Sequence, residues 1–203
     1  LPVAAALCRA STGRAPSARV LIDKLGLGTR EASALTIGLF EDIARDRPEE
    51  IRDLVENHDT APAVKVAAIE APSQSGDYSL VPVIVRLALS APADAEELPR
   101  YLKALGGFGH PAGAVAVSAL LESPNAQVRA AAAEAAGRIG MSDSADRLGA
   151  LLSDGDWWVR FRAGEALARL GDVGRFVLRK AAADAVDPAG SAARLTLAER
   201  KLA

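Results

Sequence analysis

The residues that most often carry out chemistry in proteins are few and scattered in this chain of 203 residues. The two histidines, His58 and His110, and the one cysteine, Cys8, do not form the cluster that an iron or zinc site needs. No local motif joins serine, histidine and aspartate, and no glycine-rich loop is present to cradle a phosphate. We therefore predict no metal, no cofactor and no enzyme activity, and we interpret His110, in GFGHPAG, as a turn residue.

Three basic residues, Lys65, Arg129 and Arg160, each follow a valine at the start of a predicted helix. They could form a basic ladder for an anionic ligand. They could instead bond to carboxylates or carbonyls of neighbouring loops, for example at Asp154 or Asp156. We favour this structural role, because the positive end of the helix dipole is a poor place to leave a cation unpaired.

Both tryptophans of the chain, Trp157 and Trp158, stand side by side, although aromatic residues make up only 4% of the sequence. Asp156 before them is a predicted helix N-cap, as is Asn125 at the same place one unit earlier. Adjacent helix residues point about 100° apart. We therefore expect Trp157 to pack at an edge between repeats and Trp158 to be the first candidate for contact with a partner.

Basic side chains outnumber acidic ones between residues 158 and 180. Beside two tryptophans, such a cluster could hold phosphates and stack bases, which makes nucleic-acid binding an alternative prediction. The remainder of the chain is acidic, most of all residues 41–59, and the formal net charge is −2. A solvated helix face is the simpler interpretation. The candidate binding residues are Trp158, Arg160, Arg162, Arg169, Tyr101 and His110.

The helices that must position these residues follow an internal repeat. VRAAAAEAAGRIG at 128–140 aligns with VRFRAGEALARLG at 159–171, a shift of 31 residues. In each segment the apolar residues fall at i, i+3, i+4 and i+7, which is typical of one buried helix face. Between one closing glycine and the next, a second apolar pattern predicts another helix. Each unit is therefore a hairpin of two helices that is stabilised by its neighbours. The closing glycines of the units are Gly76, Gly109, Gly140 and Gly171.

These units resemble HEAT repeats, in particular the short bacterial kind named after phycobilin lyase subunits. The likeness is clear over residues 60–171 and weaker over 1–59 and 172–203, which we interpret as degenerate or capping ends. The resemblance implies an all-α, right-handed α-solenoid of about five to six helical hairpins, with the second helices on the concave side. We predict one continuous domain over residues 1–203.

Pro72 occupies a position well inside one of the predicted second helices. A proline there removes a backbone hydrogen bond and clashes with the preceding turn. We therefore expect this helix to kink or end near Ala71.

Composition narrows the location of the protein. Hydrophobic residues make up 50% of the chain, but many are alanine, which suits helices whose backbones approach closely. There is no apolar run long enough to span a bilayer, and a single cysteine fits a reducing compartment, so we predict the cytoplasm. The chain begins at Leu1 without the charged start of a signal peptide. We interpret it as an excised or processed fragment, before which a targeting or membrane segment could have stood.

The resemblance implies a scaffold, since most proteins of this kind are binding surfaces. We predict a non-catalytic adaptor that binds another protein on its concave or edge surface, and the sequence defines no oligomeric state. Two alternatives stay open. One is a tetrapyrrole-handling protein similar to phycobilin lyase subunits, which would need a cavity large enough for a bilin. The other is a nucleic-acid-binding protein that uses residues 158–180, as the resemblance to DNA glycosylases with HEAT-like repeats suggests.

Overall fold

In the residues that the computed structural model describes, the regular secondary structure is all helical, which confirms the predicted all-α class. Among these described residues, no helix is both long enough and apolar enough to cross a membrane. The described ranges are residues 17–18, 34–57, 59–70, 78–183 and 188–201.

The contacts within the chain divide it into two compact units, and the first comprises residues 1–83. Helices α1, α2 and α3 of this unit pack against one another. Each buries apolar side chains, among them Phe40 in α1, Ile51 in α2 and Ile69 in α3. Pro72 and Gly76 lie outside the described residues, and α3 is described as far as Glu70. The three helices are α1 (Ala34–Asp46), α2 (Pro48–Glu56) and α3 (Pro62–Glu70).

The second unit, residues 84–203, is a two-layer stack of helical hairpins. In one layer α5, α7, α9 and α11 pack against one another in chain order. In the other, α8 packs against α10, and α6, α8 and α10 each pack against the long helix that follows. This arrangement is the predicted solenoid of hairpins. The helices are α4 (Val81–Ser90), which contains the boundary between the units, α5 (Leu98–Phe108), α6 (Ala114–Leu120), α7 (Ala126–Ile139), α8 (Ala145–Leu151), α9 (Trp157–Arg169), α10 (Gly171–Ala183) and α11 (Pro188–Glu199).

Glycines end three of the long helices, as the repeat predicts. Gly109, Gly140 and Gly171 have φ angles of 61°, 81° and 65°, in the left-handed region that side chains disfavour. The N–H groups of the first two donate to the carbonyls of Leu105 and Ala136, which closes the last turn of each helix. The chain can therefore reverse at each period and begin the next hairpin.

Small residues allow the long helices to approach closely. A Cβ atom placed on Gly137 of α7 would lie 2.6 Å from Cα of Ala166 in α9. One period earlier, a Cβ atom on Gly106 of α5 would lie 3.0 Å from Cα of Ala135 in α7. Two successive interfaces thus depend on the same glycine-to-alanine contact, in agreement with the alanine-rich composition.

The last hairpin keeps the period of the array although its sequence has lost the Val-Arg pair. Helix α11 begins at Pro188, which is 31 residues after the first residue of α9. Its exposed side includes Ser191, Arg194, Leu195 and Glu199. Continuity of the array over residues 1–203 and its right-handed twist stay predictions.

Candidate functional site

Helix α9 begins at Trp157 because Asp156 caps it. The Asp156 Oδ1 atom accepts hydrogen bonds from the N–H groups of Trp158 at 2.8 Å and Val159 at 3.2 Å. These N–H groups have no partner within the helix, so the cap fixes the first turn and its side chains. Asn125 caps α7 in the same way, with a hydrogen bond of 2.9 Å. Both capping predictions are confirmed.

Trp157, Trp158 and Phe161 form an aromatic cluster on the first turns of α9. Trp157 stacks on Phe161, one helical turn later, with ring centroids 5.3 Å apart and planes 10° apart. The ring of Trp158 stands edge-on to Trp157, at 4.7 Å between centroids. Trp157 is 49% exposed and Trp158 57% exposed.

The two indoles are in contact, which the sequence did not predict, while separate roles for Trp157 and Trp158 stay a prediction. The backbone does direct successive side chains to different sides of the helix, but the long indoles turn back into contact. Phe161 supplies a ring that both of them touch. It was not among the predicted site residues, although its spacing of four residues from Trp157 was a signal for it.

A cleft of about 160 Å³ lies between α9 and α11 beside this cluster. Trp157 and Phe161 form its α9 side, and Leu195 contributes an apolar wall from α11. One period earlier the positions of the two rings are held by Ala126 and Ala130. The aromatic lining of the cleft is therefore specific to this repeat.

The two helices are in close contact at the other end of the cleft. A Cβ atom on Gly164 of α9 would collide with Oγ1 of Thr196 in α11. The hydroxyl of Thr196 donates to the carbonyl of Ala192, which satisfies it within α11. Thr196 also lines the cleft, so this close contact lies at its border.

Arg129 is bonded to the loops at the ends of two successive hairpins. Its Nε and Nη2 atoms donate to the two carboxylate oxygens of Asp154 at 2.8 and 2.9 Å. Its Nη1 atom donates to the carbonyls of Ser123 at 2.8 Å and Pro124 at 3.1 Å. The hydrogen bonds from Arg129 lower the pKa of Asp154, and those to Asp154 raise the pKa of Arg129. The structural interpretation of Arg129 is confirmed.

Arg160 repeats part of this arrangement one period later. Its Nη1 atom donates to the carbonyl of Asp154 at 2.7 Å and to that of Gly155 at 3.1 Å. Its side chain is half-buried and also lines the cleft between α9 and α11. Arg160 thus binds the loop before α9 and also forms part of the candidate site.

Arg162 and the recurring glutamates connect neighbouring repeats. Arg162 of α9 lies 3.5 Å from a carboxylate oxygen of Glu134 in α7, and its guanidinium lies 5.7 Å from the ring centroid of Phe161. Arg200 after α11 donates from Nε to Glu165 of α9 at 2.9 Å. Both glutamates are therefore partners across repeats.

Arg169, near the end of α9, is exposed. The pKa of Glu165 is lowered, first by the hydrogen bonds from Arg200 and further by the charges of Arg169 and Arg162. Arg169 thus faces a carboxylate that is already paired, which leaves its head group at the surface.

Tyr101 and His110 have structural positions, and a role in binding stays a prediction for both. Tyr101 is only 7% exposed in α5, and burial, with a smaller effect of Glu97, raises its pKa. Its place in the apolar stripe of the repeat explains this burial. The Nδ1 atom of His110 accepts a hydrogen bond of 3.1 Å from the N–H of Ala112, so His110 caps a 3₁₀ turn between units. The turn interpretation of His110 is confirmed.

The basic residues of the 158–180 segment belong to two helices, α9 and α10, and several are paired with acids. Arg162 faces Glu134, and Arg175 pairs with Asp172.

In the part of the chain that the structure describes, no group of three or more histidine, cysteine, aspartate or glutamate side chains is placed to hold a metal ion.

Comparison with known proteins agrees with this architecture. Residues 113–198 match the family described as HEAT repeats, so this part of the chain consists of HEAT repeats and the predicted family is confirmed. The match continues past Gly171 and includes the aromatic cluster, the cleft and most of α11. No curated protein matches the chain. HEAT repeats commonly mediate interactions between proteins. The phycobilin-lyase subtype stays a prediction.

Proposed function

We propose that the protein is a non-catalytic scaffold that binds another protein through the aromatic cluster of Trp157, Trp158 and Phe161 and the adjoining cleft. The observation that carries the proposal is the exposure of two touching indoles in a chain with only 4% aromatic residues. Large apolar side chains grouped at a surface are a common mark of interaction sites, and tryptophan is enriched among the residues that dominate binding energy.

The cluster is held in place before any partner arrives. The cap at Asp156 fixes the first turn of α9, and the stack of Trp157 on Phe161 restricts two of the three rings. A preformed surface loses little conformational entropy on binding. The cleft beside it, about 160 Å³, is smaller than the several hundred Å³ of typical small-molecule sites. It suits one anchoring side chain of a protein partner better than a whole cofactor.

The tetrapyrrole alternative has weaker support. Two larger and shallower depressions exist within the described residues, one of about 560 Å³ in the first unit and one of about 510 Å³ between α8 and α10. Glu50 and Asp53 line the first, and Asp143, Asp146 and Asp172 line the second. These acids would repel the carboxylate groups that bilins carry.

The nucleic-acid alternative is also disfavoured, because arginines of the 158–180 segment are bonded to acids and loop carbonyls.

We retain the cytoplasm as the proposed location, because the sequence has a single cysteine and no apolar run long enough to span a bilayer. The family itself is generally non-enzymatic, which supports a scaffold over a lyase.

The test is quantitative capture of proteins from the cells of origin on the immobilised chain. We compare the original protein with Trp158→Ala and with a matched control, Phe176→Ala, which removes an aromatic ring that is 70% exposed on α10. A defined set of captured proteins should be lost with Trp158→Ala and kept with Phe176→Ala. Equal capture by all three proteins would refute the proposed site. Circular dichroism must show that both variants are folded.

A further inference from the structure

The repeat allows Arg160 to be compared with Arg129, which stands one period earlier. Arg129 uses its guanidinium in two directions. Nη1 binds the loop carbonyls of Ser123 and Pro124, while Nε and Nη2 bind the carboxylate of Asp154 as a fork. Arg160 reproduces the first half, because its Nη1 binds the carbonyls 31 residues later.

Within the described residues, the second half of the arrangement has no counterpart at Arg160. The position one period after Asp154 is Ala185, which carries no carboxylate and lies outside the described residues. Within the described ranges, the hydrogen bonds of the Arg160 side chain all come from Nη1. Nε and Nη2, the two atoms that form the fork in Arg129, thus have no hydrogen-bond acceptor among those residues.

Arg160 lies in the wall of the cleft between α9 and α11. The same cleft has aromatic walls from Trp157 and Phe161 and an apolar wall from Leu195. A planar guanidinium with two parallel N–H donors matches a carboxylate, and the match is closer than a lysine ammonium provides. A cation and an apolar wall therefore stand side by side.

We propose that the cleft binds an acidic peptide segment of the partner protein. An aspartate or glutamate of that segment pairs with Nε and Nη2 of Arg160, as Asp154 pairs with Arg129. An apolar side chain beside it packs against Trp157 and Phe161. The inference rests on the proposed function and names the chemistry of its partner.

A peptide carboxylate fits this site better than a nucleic-acid phosphate. The arrangement at Arg129 shows that the fold already binds a carboxylate at this register. A polyanion would also meet a chain of net charge −2, with acids paired to several neighbouring arginines.

The test is selection of random 12-residue peptides displayed on phage, with the full chain immobilised as bait. The selected peptides are then synthesised, and their affinities are measured by fluorescence anisotropy. We expect enrichment of aspartate or glutamate next to a large apolar residue. Arg160→Gln should weaken binding about tenfold or more, and Arg160→Lys should restore little of it, because an ammonium cannot form the fork.

A second variant keeps the test independent of any damage at Arg160. Ala185→Asp introduces a carboxylate 31 residues after Asp154 and replaces none of the described residues. The new carboxylate should pair with Arg160, and acidic peptides should then bind this variant about tenfold more weakly. Thermal unfolding checks that the variant protein is folded. Unchanged affinity in both Arg160→Gln and Ala185→Asp would overturn the inference.

The remaining outcomes separate the inference from the proposed function. If the selected peptides are not enriched in acids, the inference is overturned and the proposed function is not. The same result is expected if another acid of the chain pairs with Arg160. Binding of a twenty-nucleotide oligothymidylate that depends on Arg160 and displaces the peptides would overturn it in favour of nucleic acid. Peptides that bind Trp157→Ala with full affinity would contradict the proposed function itself, because Trp157 is the indole that lines the cleft.

Discussion

Gly137→Ala gives a direct test of how closely the repeats pack. A Cβ atom at this position would lie 2.6 Å from Cα, 2.9 Å from Cβ and 3.3 Å from the carbonyl oxygen of Ala166. Replacement of glycine by alanine inside a helix normally gains about 1 kcal/mol. Overpacking of a tight interface costs about 1 to 3 kcal/mol. Here the nearest atom belongs to the backbone, so α7 and α9 must separate, and we expect a cost in the upper part of that range, about 2 to 3 kcal/mol. We expect a net loss of about 1 to 2 kcal/mol in the free energy of unfolding.

The assay is urea unfolding followed by tryptophan fluorescence, which reports on the second unit because both tryptophans are in α9. Gly155→Ala is the control, since a Cβ atom there meets nothing within 4 Å. Adding Ala166→Gly to Gly137→Ala should not restore stability, because the contact with the Ala166 backbone remains. A Gly137→Ala protein as stable as the original, or more stable, would refute the proposed packing.

Two further predictions concern the loop before α9. Asp154→Asn removes the carboxylate that pairs with Arg129 and should cost about 1.5 to 3 kcal/mol at pH 7. The pKa of Asp154 is lowered in the folded protein, so this stability is present above its unfolded value of about 3.9 and is lost as the pH falls through the folded value. The urea midpoints of the original protein and Asp154→Asn should therefore become equal only in acid. A difference between the midpoints as large at pH 2 as at pH 7 would contradict the pairing of Asp154 with Arg129. Asp156→Ala removes the cap of α9 and should cost about 1 kcal/mol, measured by the same titration. No loss would mean that water replaces the cap.

Much of the fold could be predicted because the repeat depends on local rules. The closing glycines at 109, 140 and 171 stand where the backbone needs a positive φ, and that need is visible in the sequence. The caps at Asn125 and Asp156 are equally local. The division of the chain near residue 83 was not predicted, since it depends on the density of packing and not on the period of the sequence.

The site was harder to predict than the fold. The contact of Trp157 with Trp158 depends on side-chain torsions, which the direction of the Cα–Cβ bonds does not determine. The burial of Tyr101 follows from the helical period, which places it in the apolar stripe of its helix. The cleft could have been found by comparing repeats, because Phe161 replaces an alanine of the preceding unit.

The central claim is that the aromatic cluster on α9 is a surface for a protein partner. Its most direct test is to place the photoreactive residue p-benzoylphenylalanine at the position of Trp158 and, in a separate protein, at that of Phe176, and to irradiate the cells of origin. We predict a discrete crosslinked protein from position 158 that is absent from position 176. No adduct at 158, or the same adducts at both positions, would contradict the claim.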